Sequence, residues 1–121
     1  MSWRFALWVT LGGSIGSLLR FWIGTRLPFQ PSEFAWATFL VNMAGCFAIG
    51  CCYPWISDDG IRAFFVVGIL GGFTTFSGFG LEIFRYVEFS AHRMAIIYGS
   101  LSLILGTILV WLGFKIGLWL K

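Results

Sequence analysis

The sequence predicts an all-α membrane protein: four transmembrane helices in a single domain spanning residues 1–121, the third a candidate for a break near mid-membrane. Three observations carry this reading. Of 121 residues, 59% are hydrophobic and 20% aromatic, and only 11% are charged; a soluble domain carries about 25% charged residues. The apolar residues stand in blocks comparable to the ~20 residues that cross a bilayer, not in the stripes of a half-buried helix. The last observation is the stretch Gly71-Gly72-Phe73-Thr74-Thr75-Phe76-Ser77-Gly78-Phe79-Gly80, whose glycines and β-branched threonines make a poor helix interior.

The first span is expected from Trp3 to Gly24, stopping before Pro28 and Pro31. Arg4 and the apolar run after it invite comparison with a cleaved leader. Gly12, Gly13 and Gly16 interrupt that run, Arg20 ends it, and no A-x-A-like site follows, so it reads as a retained span. The second span is expected over 34–55, with Ser57-Asp58-Asp59-Gly60 as the turn after it. The third covers 61–87 and the fourth 93–120, with His92 in the loop between them, read as solvated. Connections this short make each helix antiparallel to its predecessor. The seven tryptophans lie mostly near span ends, as interfacial anchors do.

The net charge of +3 is small and scattered, which leaves no nucleic-acid surface. The positive residues divide evenly: Arg4, Arg62, Lys115 and Lys121 on the side of the termini, Arg20, Arg26, Arg85 and Arg93 on the other. Orientation by positive charge needs an imbalance. An even count permits insertion both ways and assembly as an inverted pair, the two-chain version of an inverted repeat; a topology fixed by helix hydrophobicity is the alternative. Four helices of this size enclose little interior, so oligomerisation is expected. Gly12-x-x-x-Gly16 and Gly13-x-x-x-Ser17 suit close helix packing. Cys46, Cys51 and Cys52 have no His, Asp or Glu at ligand spacing and read as small apolar side chains, not as a metal or disulfide set.

Polar side chains inside a span are costly and face a partner or a pathway. In the third span, a break at the glycine-threonine stretch would free backbone groups, tolerated at that depth only inside protein or along a cavity. Freed carbonyls suit a cation, and the following half-helix N-terminus favours an anion; a continuous, closely packed glycine helix is the other reading. Asn42, with Thr38 and Cys46 one turn to either side, either joins helices or lines a pathway. Tyr98, Ser102 and Gly106 form a partly polar stripe on the fourth span, although Ser102 could bond its own backbone. Arg20 near a span end would snorkel by default, and Glu82 with Arg85 would form a local ion pair. No Ser-His-Asp set, paired carboxylates or nucleotide loop is present, so an enzyme is not expected.

Three motifs together resemble the Fluc family of small dual-topology fluoride channels. Gly12-Gly13-Ser14-Ile15-Gly16-Ser17-Leu18-Leu19-Arg20-Phe21 resembles its first-helix glycine-arginine signature, and Thr38-Phe39-Leu40-Val41-Asn42-Met43-Ala44-Gly45-Cys46-Phe47 its second-helix asparagine motif. Gly71-Gly72-Phe73-Thr74-Thr75-Phe76-Ser77 resembles its broken third helix. The resemblance covers essentially the whole chain. It implies an antiparallel homodimer in the cell inner (plasma) membrane, with two fluoride pathways that lower cytoplasmic fluoride toxicity. It further implies a structural sodium ion at the dimer centre, held by the backbone carbonyls of Gly71 and Thr74 from both subunits. Asn42 would contact fluoride, Phe76 and Phe79 would be the pore phenylalanines, Tyr98 and Ser102 would belong to a polar track, and Arg20 would draw anions into a vestibule. Gly78 stands where the family usually has threonine, Phe21 where tyrosine is common, and Gly106 continues the track without a hydroxyl.

The chemistry suits these roles. Fluoride holds its water tightly, so a passive path must replace that water with donors, which the Asn42 amide and the hydroxyls of Ser77, Tyr98 and Ser102 provide. A phenylalanine ring presents a positive edge to an anion, and several moderate sites conduct better than one deep one. Two alternatives belong to other classes. A small multidrug-type transporter would need a membrane-embedded carboxylate, typically in the first span, which holds none. A non-transporting structural membrane subunit would use Asn42 and the glycines for packing alone.

Overall fold

A computed structural model describes residues 3–121, and all of the regular structure in them is helical. Helix α1 is Trp3–Arg26 and α2 is Trp36–Cys52. Helix α3, residues 59–73, is built from Asp59–Ile61, a π-helical stretch Arg62–Leu70 and Gly71–Phe73; α4 is Phe76–Glu88 and α5 is His92–Trp119. Trp3–Arg26, the combined segment Asp59–Glu88 and His92–Trp119 are long and apolar enough to cross a membrane, and Trp36–Cys52 is a shorter apolar helix.

Helix α2 stops at Cys52, short of the Trp55 expected from hydropathy, because Pro54 has no N–H with which to continue the ladder. The Trp55 indole instead donates to the Gly117 carbonyl at 2.9 Å, fastening this turn to the last turn of α5. At the other end of the molecule, α4 turns into α5 within three residues. The Ala91 N–H reaches back to Tyr86 O at 2.7 Å and the Ser90 N–H to Val87 O at 3.0 Å. Ser90 takes the left-handed conformation, φ 60°, that this closure requires. So tight a reversal puts His92, expected in the loop, on the first turn of α5, where it stays exposed.

The helices pack as two close pairs. Where α1 meets α3, a Cβ on Gly12 would strike the Phe64 carbonyl, and one on Gly16 would stand 2.7 Å from the Phe73 nitrogen. Where α2 meets α5, a Cβ on Gly113 would stand 2.9 Å from the Cys51 nitrogen. Backbone contact of this kind gives helices association energy where no hydrophobic drive exists between them. The pairs are joined at the end opposite the termini by a small core of Ala35, Tyr86 and Tyr98, with Phe34 edge-on to Tyr98 at 5.4 Å. The Tyr86 hydroxyl donates to Glu33 O at 2.7 Å and holds the α1–α2 loop over this core. Elsewhere, side chains such as Leu18 and Leu103 face outward, as on helices that meet lipid or other helices all round.

Candidate functional site

Between α3 and α4 the backbone of Thr74 (φ −79°, ψ 156°) and Thr75 (φ −147°, ψ 121°) is extended. Both flanking ends are capped by the threonines themselves. The Thr74 N–H and hydroxyl each donate to Leu70 O at 2.9 Å, closing the last turn of α3. Thr75 Oγ1 accepts from the Gly78 N–H at 3.0 Å, the N-cap of α4, and lies 3.3 Å from the Ser77 hydroxyl.

Asn42 reaches across from α2 and binds Thr75 on both sides of its amide. Nδ2 donates to Thr75 O at 3.0 Å, and Oδ1 accepts from the Thr75 N–H at 2.8 Å. The side chain thus takes the place of a neighbouring backbone, and one of its two N–H donors remains. In an unbroken helix the N–H of residue i+4 serves the carbonyl of residue i. The Thr75 and Gly78 N–H groups would then serve Gly71 and Thr74; here Asn42 and Thr75 Oγ1 claim them.

Arg20 behaves differently from expectation. Its Nε donates to Gly72 O at 3.0 Å, with the Ser17 hydroxyl at 3.5 Å from the same oxygen. A carbonyl left without its helical donor is a stronger partner for the guanidinium than the interface to which it was expected to snorkel. Glu82 also departs from expectation: it does not pair with Arg85. Its two carboxyl oxygens accept from the Thr38 hydroxyl at 2.7 Å and the Tyr98 hydroxyl at 2.5 Å, while Arg85 lies over the Phe29 and Phe89 rings at 5.2 and 5.9 Å. The inward carboxyl has two hydroxyl donors at hand and the outward guanidinium has aromatic faces. Sequence reasoning passed over this cluster, although an acid inside a span was its signal.

Asn42, Gly71, Thr74, Phe76, Phe79 and Ser102 line one cleft of about 360 Å³. The Phe79 ring stands 5.7 Å from Phe76 and 5.2 Å from Tyr98, and Phe76 itself is 80% exposed. Ser102 Oγ is buried with no partner. Thr107, by contrast, bonds its own backbone at Leu103 O, 2.8 Å away; Ser102 does not use that option, so its O–H is free. Ser77 lies beside the cleft at the break. Tyr98 is fully buried behind Phe79 with its proton spent on Glu82, and Arg20, reaching from α1 to Gly72 O, does not line the cleft. Among the described residues no cluster of His, Cys, Asp and Glu could hold a metal. The oxygens that remain for a cation are carbonyls such as those of Gly71 and Thr74, a donor type that suits hard monovalent ions.

Residues 7–114 match the family described as CrcB-like protein, Camphor Resistance (CrcB). The chain is 43% identical over 106 residues to "Fluoride-specific ion channel FluC 2" of Nocardia farcinica, covering 84% of this chain and 72% of that protein. It is 40% identical over 114 residues to "Fluoride-specific ion channel FluC" of Helicobacter pylori (strain Shi470), covering 88% of each. The similarity to "Fluoride-specific ion channel FluC" of Helicobacter acinonychis is also 40% over 114 residues, covering 88% of this chain and 90% of that one.

Proposed function

The chain belongs to the CrcB-like family, and on that premise we propose that it is a fluoride-selective channel that lets fluoride leave the cell passively. It acts as a multi-pass protein of the inner (plasma) membrane, with four spans, the third divided at Thr74–Thr75. Two copies assemble antiparallel, as the even division of positive charge allows, and the exposed lining of the cleft, Phe76 above all, faces the second copy.

The observation that most supports this reading is the unpartnered Ser102 hydroxyl in a cleft whose other walls are Asn42, Phe76 and Phe79. A free O–H in apolar surroundings is costly unless a ligand uses it. Fluoride entering there exchanges water for that O–H, for the second Asn42 N–H and for the ring edges of Phe76 and Phe79. Ser77 adds a hydroxyl at the break. Tyr98 flanks the route, with Glu82 holding its proton. The terminal nitrogens of Arg20 attract anions to the mouth. At the dimer centre the carbonyls of Gly71 and Thr74 from both copies hold sodium, which supplies a fixed positive charge between the two pathways.

Efflux from liposomes containing the purified protein, followed with a fluoride electrode beside a chloride control, tests the proposal. Rapid fluoride release with chloride retained is expected. No release from folded dimers would sink the channel reading and favour a non-transporting subunit.

A further inference from the structure

The break strips the carbonyls of residues 71–74 of their i+4 donors, and the chain treats them unequally. Gly72 O is gripped from α1 by Arg20 Nε at 3.0 Å and by the Ser17 hydroxyl at 3.5 Å. Gly72 is also pressed onto α1 bodily: a Cβ there would stand 2.6 Å from Gly13 O and 3.1 Å from its Cα. Gly71 is the opposite case. A Cβ at Gly71 would meet only Val66 O of its own helix, at 3.7 Å, and the residue is exposed. Successive residues are about 100° apart around a helix, so fastening Gly72 to α1 leaves Gly71 on a face that no other helix of this chain covers.

We propose that Arg20 is a positioning residue for the central cation: by holding the Gly72 carbonyl to α1, it fixes the rotation of the last turn of α3 and keeps the Gly71 and Thr74 carbonyls presented together. This rests on the sodium reading above. Arg20 is the only side chain making a charge-assisted bond to the broken segment among the described residues, so its removal frees the turn to rotate and to re-aim its carbonyls. Ser17, at the limit of hydrogen-bond distance, cannot replace it.

The test uses the full-length protein in detergent. Thermal stability of the assembled protein is followed as sodium replaces N-methylglucamine at constant ionic strength, for the wild type, Arg20→Gln and Arg20→Lys. The wild type is expected to be stabilised by sodium with a definable midpoint. Arg20→Gln should need about tenfold more sodium, the loss expected for one hydrogen bond to a charged group. Saturating sodium should restore its stability. Arg20→Lys should fall between, because one ammonium can still reach the carbonyl but lacks the planar fork. An unchanged sodium midpoint in Arg20→Gln, even with fluoride flux reduced, would overturn the proposal and leave Arg20 as an anion attractor only. A wild type indifferent to sodium would remove the sodium reading and this inference with it. If Arg20→Gln fails to assemble at any sodium concentration, Arg20→Lys decides: a raised midpoint supports the positioning role and a wild-type midpoint overturns it.

Discussion

Asn42 and Thr75 are joined in both directions, the asparagine amide donating to the Thr75 carbonyl at 3.0 Å and accepting from its N–H at 2.8 Å. One side chain from α2 therefore satisfies both backbone polar groups of Thr75, one of the two residues that belong to neither half-helix of the third segment. Without it, a donor and an acceptor would be stranded at a depth where water is scarce.

Replacing Asn42 by Ala should therefore lower stability as well as flux. Two partly buried backbone groups lose their partners, at about 1–3 kcal/mol each. Asn42→Asp should be nearly as harmful, because it keeps the acceptor but sets an oxygen against the Thr75 carbonyl. Thermal unfolding in detergent measures both, and an Asn42→Ala protein melting with the wild type would show that the clamp carries no stability.

Phe76 offers the cleanest separation of flux from fold. Its ring is 80% exposed on this chain, so Phe76→Ile should change the stability of the monomer fold by no more than about 0.5 kcal/mol, as surface substitutions do. Fluoride efflux should fall at least about tenfold, since an aliphatic group has no positive edge for the anion. Unchanged efflux would take Phe76 off the pathway.

Glu82 accepts from two hydroxyls, those of Thr38 and Tyr98, and its substitutions should rank by what they leave behind. In Glu82→Gln the amide oxygen still accepts from one hydroxyl, and the amide nitrogen donates to the other. Glu82→Leu removes the acceptor of both the Thr38 and the Tyr98 hydroxyl, at up to about 1–3 kcal/mol apiece. The melting temperature should therefore fall clearly further for Leu than for Gln; equal losses would mean that Glu82 acts by filling space.

The glycines separate into those that carry helix contact and those that do not. Gly113→Ala puts a methyl 2.9 Å from the Cys51 nitrogen and 3.2 Å from the Gly50 Cα, which should cost about 1–3 kcal/mol by forcing α2 and α5 apart. Gly24→Ala meets nothing within 4 Å and should stabilise α1 by up to about 1 kcal/mol through helix propensity. Thermal melts of the two variants should move in opposite directions, and parallel losses would refute the assignment of close contact to Gly113.

The helical, membrane character was legible because it follows from quantities additive along the chain: apolar blocks of bilayer length, few charges, tryptophans near the ends. Partners across the fold were not. Arg20 read as a snorkelling side chain because its place near a span end is visible, whereas the Gly72 carbonyl that captures it is orphaned only by the chain geometry 52 residues away. Glu82 was matched with Arg85 because the two are three residues apart; that Thr38 and Tyr98 converge on the same carboxyl depends on how three helices rotate against each other. Asn42 was recognised as needing a partner, but its two-way grip on Thr75 follows from an extended residue whose backbone groups no pattern in the sequence displays.

The inverted pair makes the most discriminating demand on the channel. Ser57 lies in an exposed turn on the side of the termini, and Gln30 and Ser32 are exposed in the loop on the other side. Ser57→Lys with one lysine appended after Lys121 gives that side six positive residues against four, from an even four and four. Gln30→Lys with Ser32→Lys gives the reverse excess. Each variant should insert in one orientation, with its more positive side inward, and alone each should lose most fluoride efflux. Expressed together, the two should regain it, because opposite orientations then supply each other's partner. Full efflux from either variant alone, with a single orientation confirmed by cysteine labelling, would overturn the antiparallel assembly. It would leave a parallel or monomeric pathway to account for the cleft between α2, the break and α5.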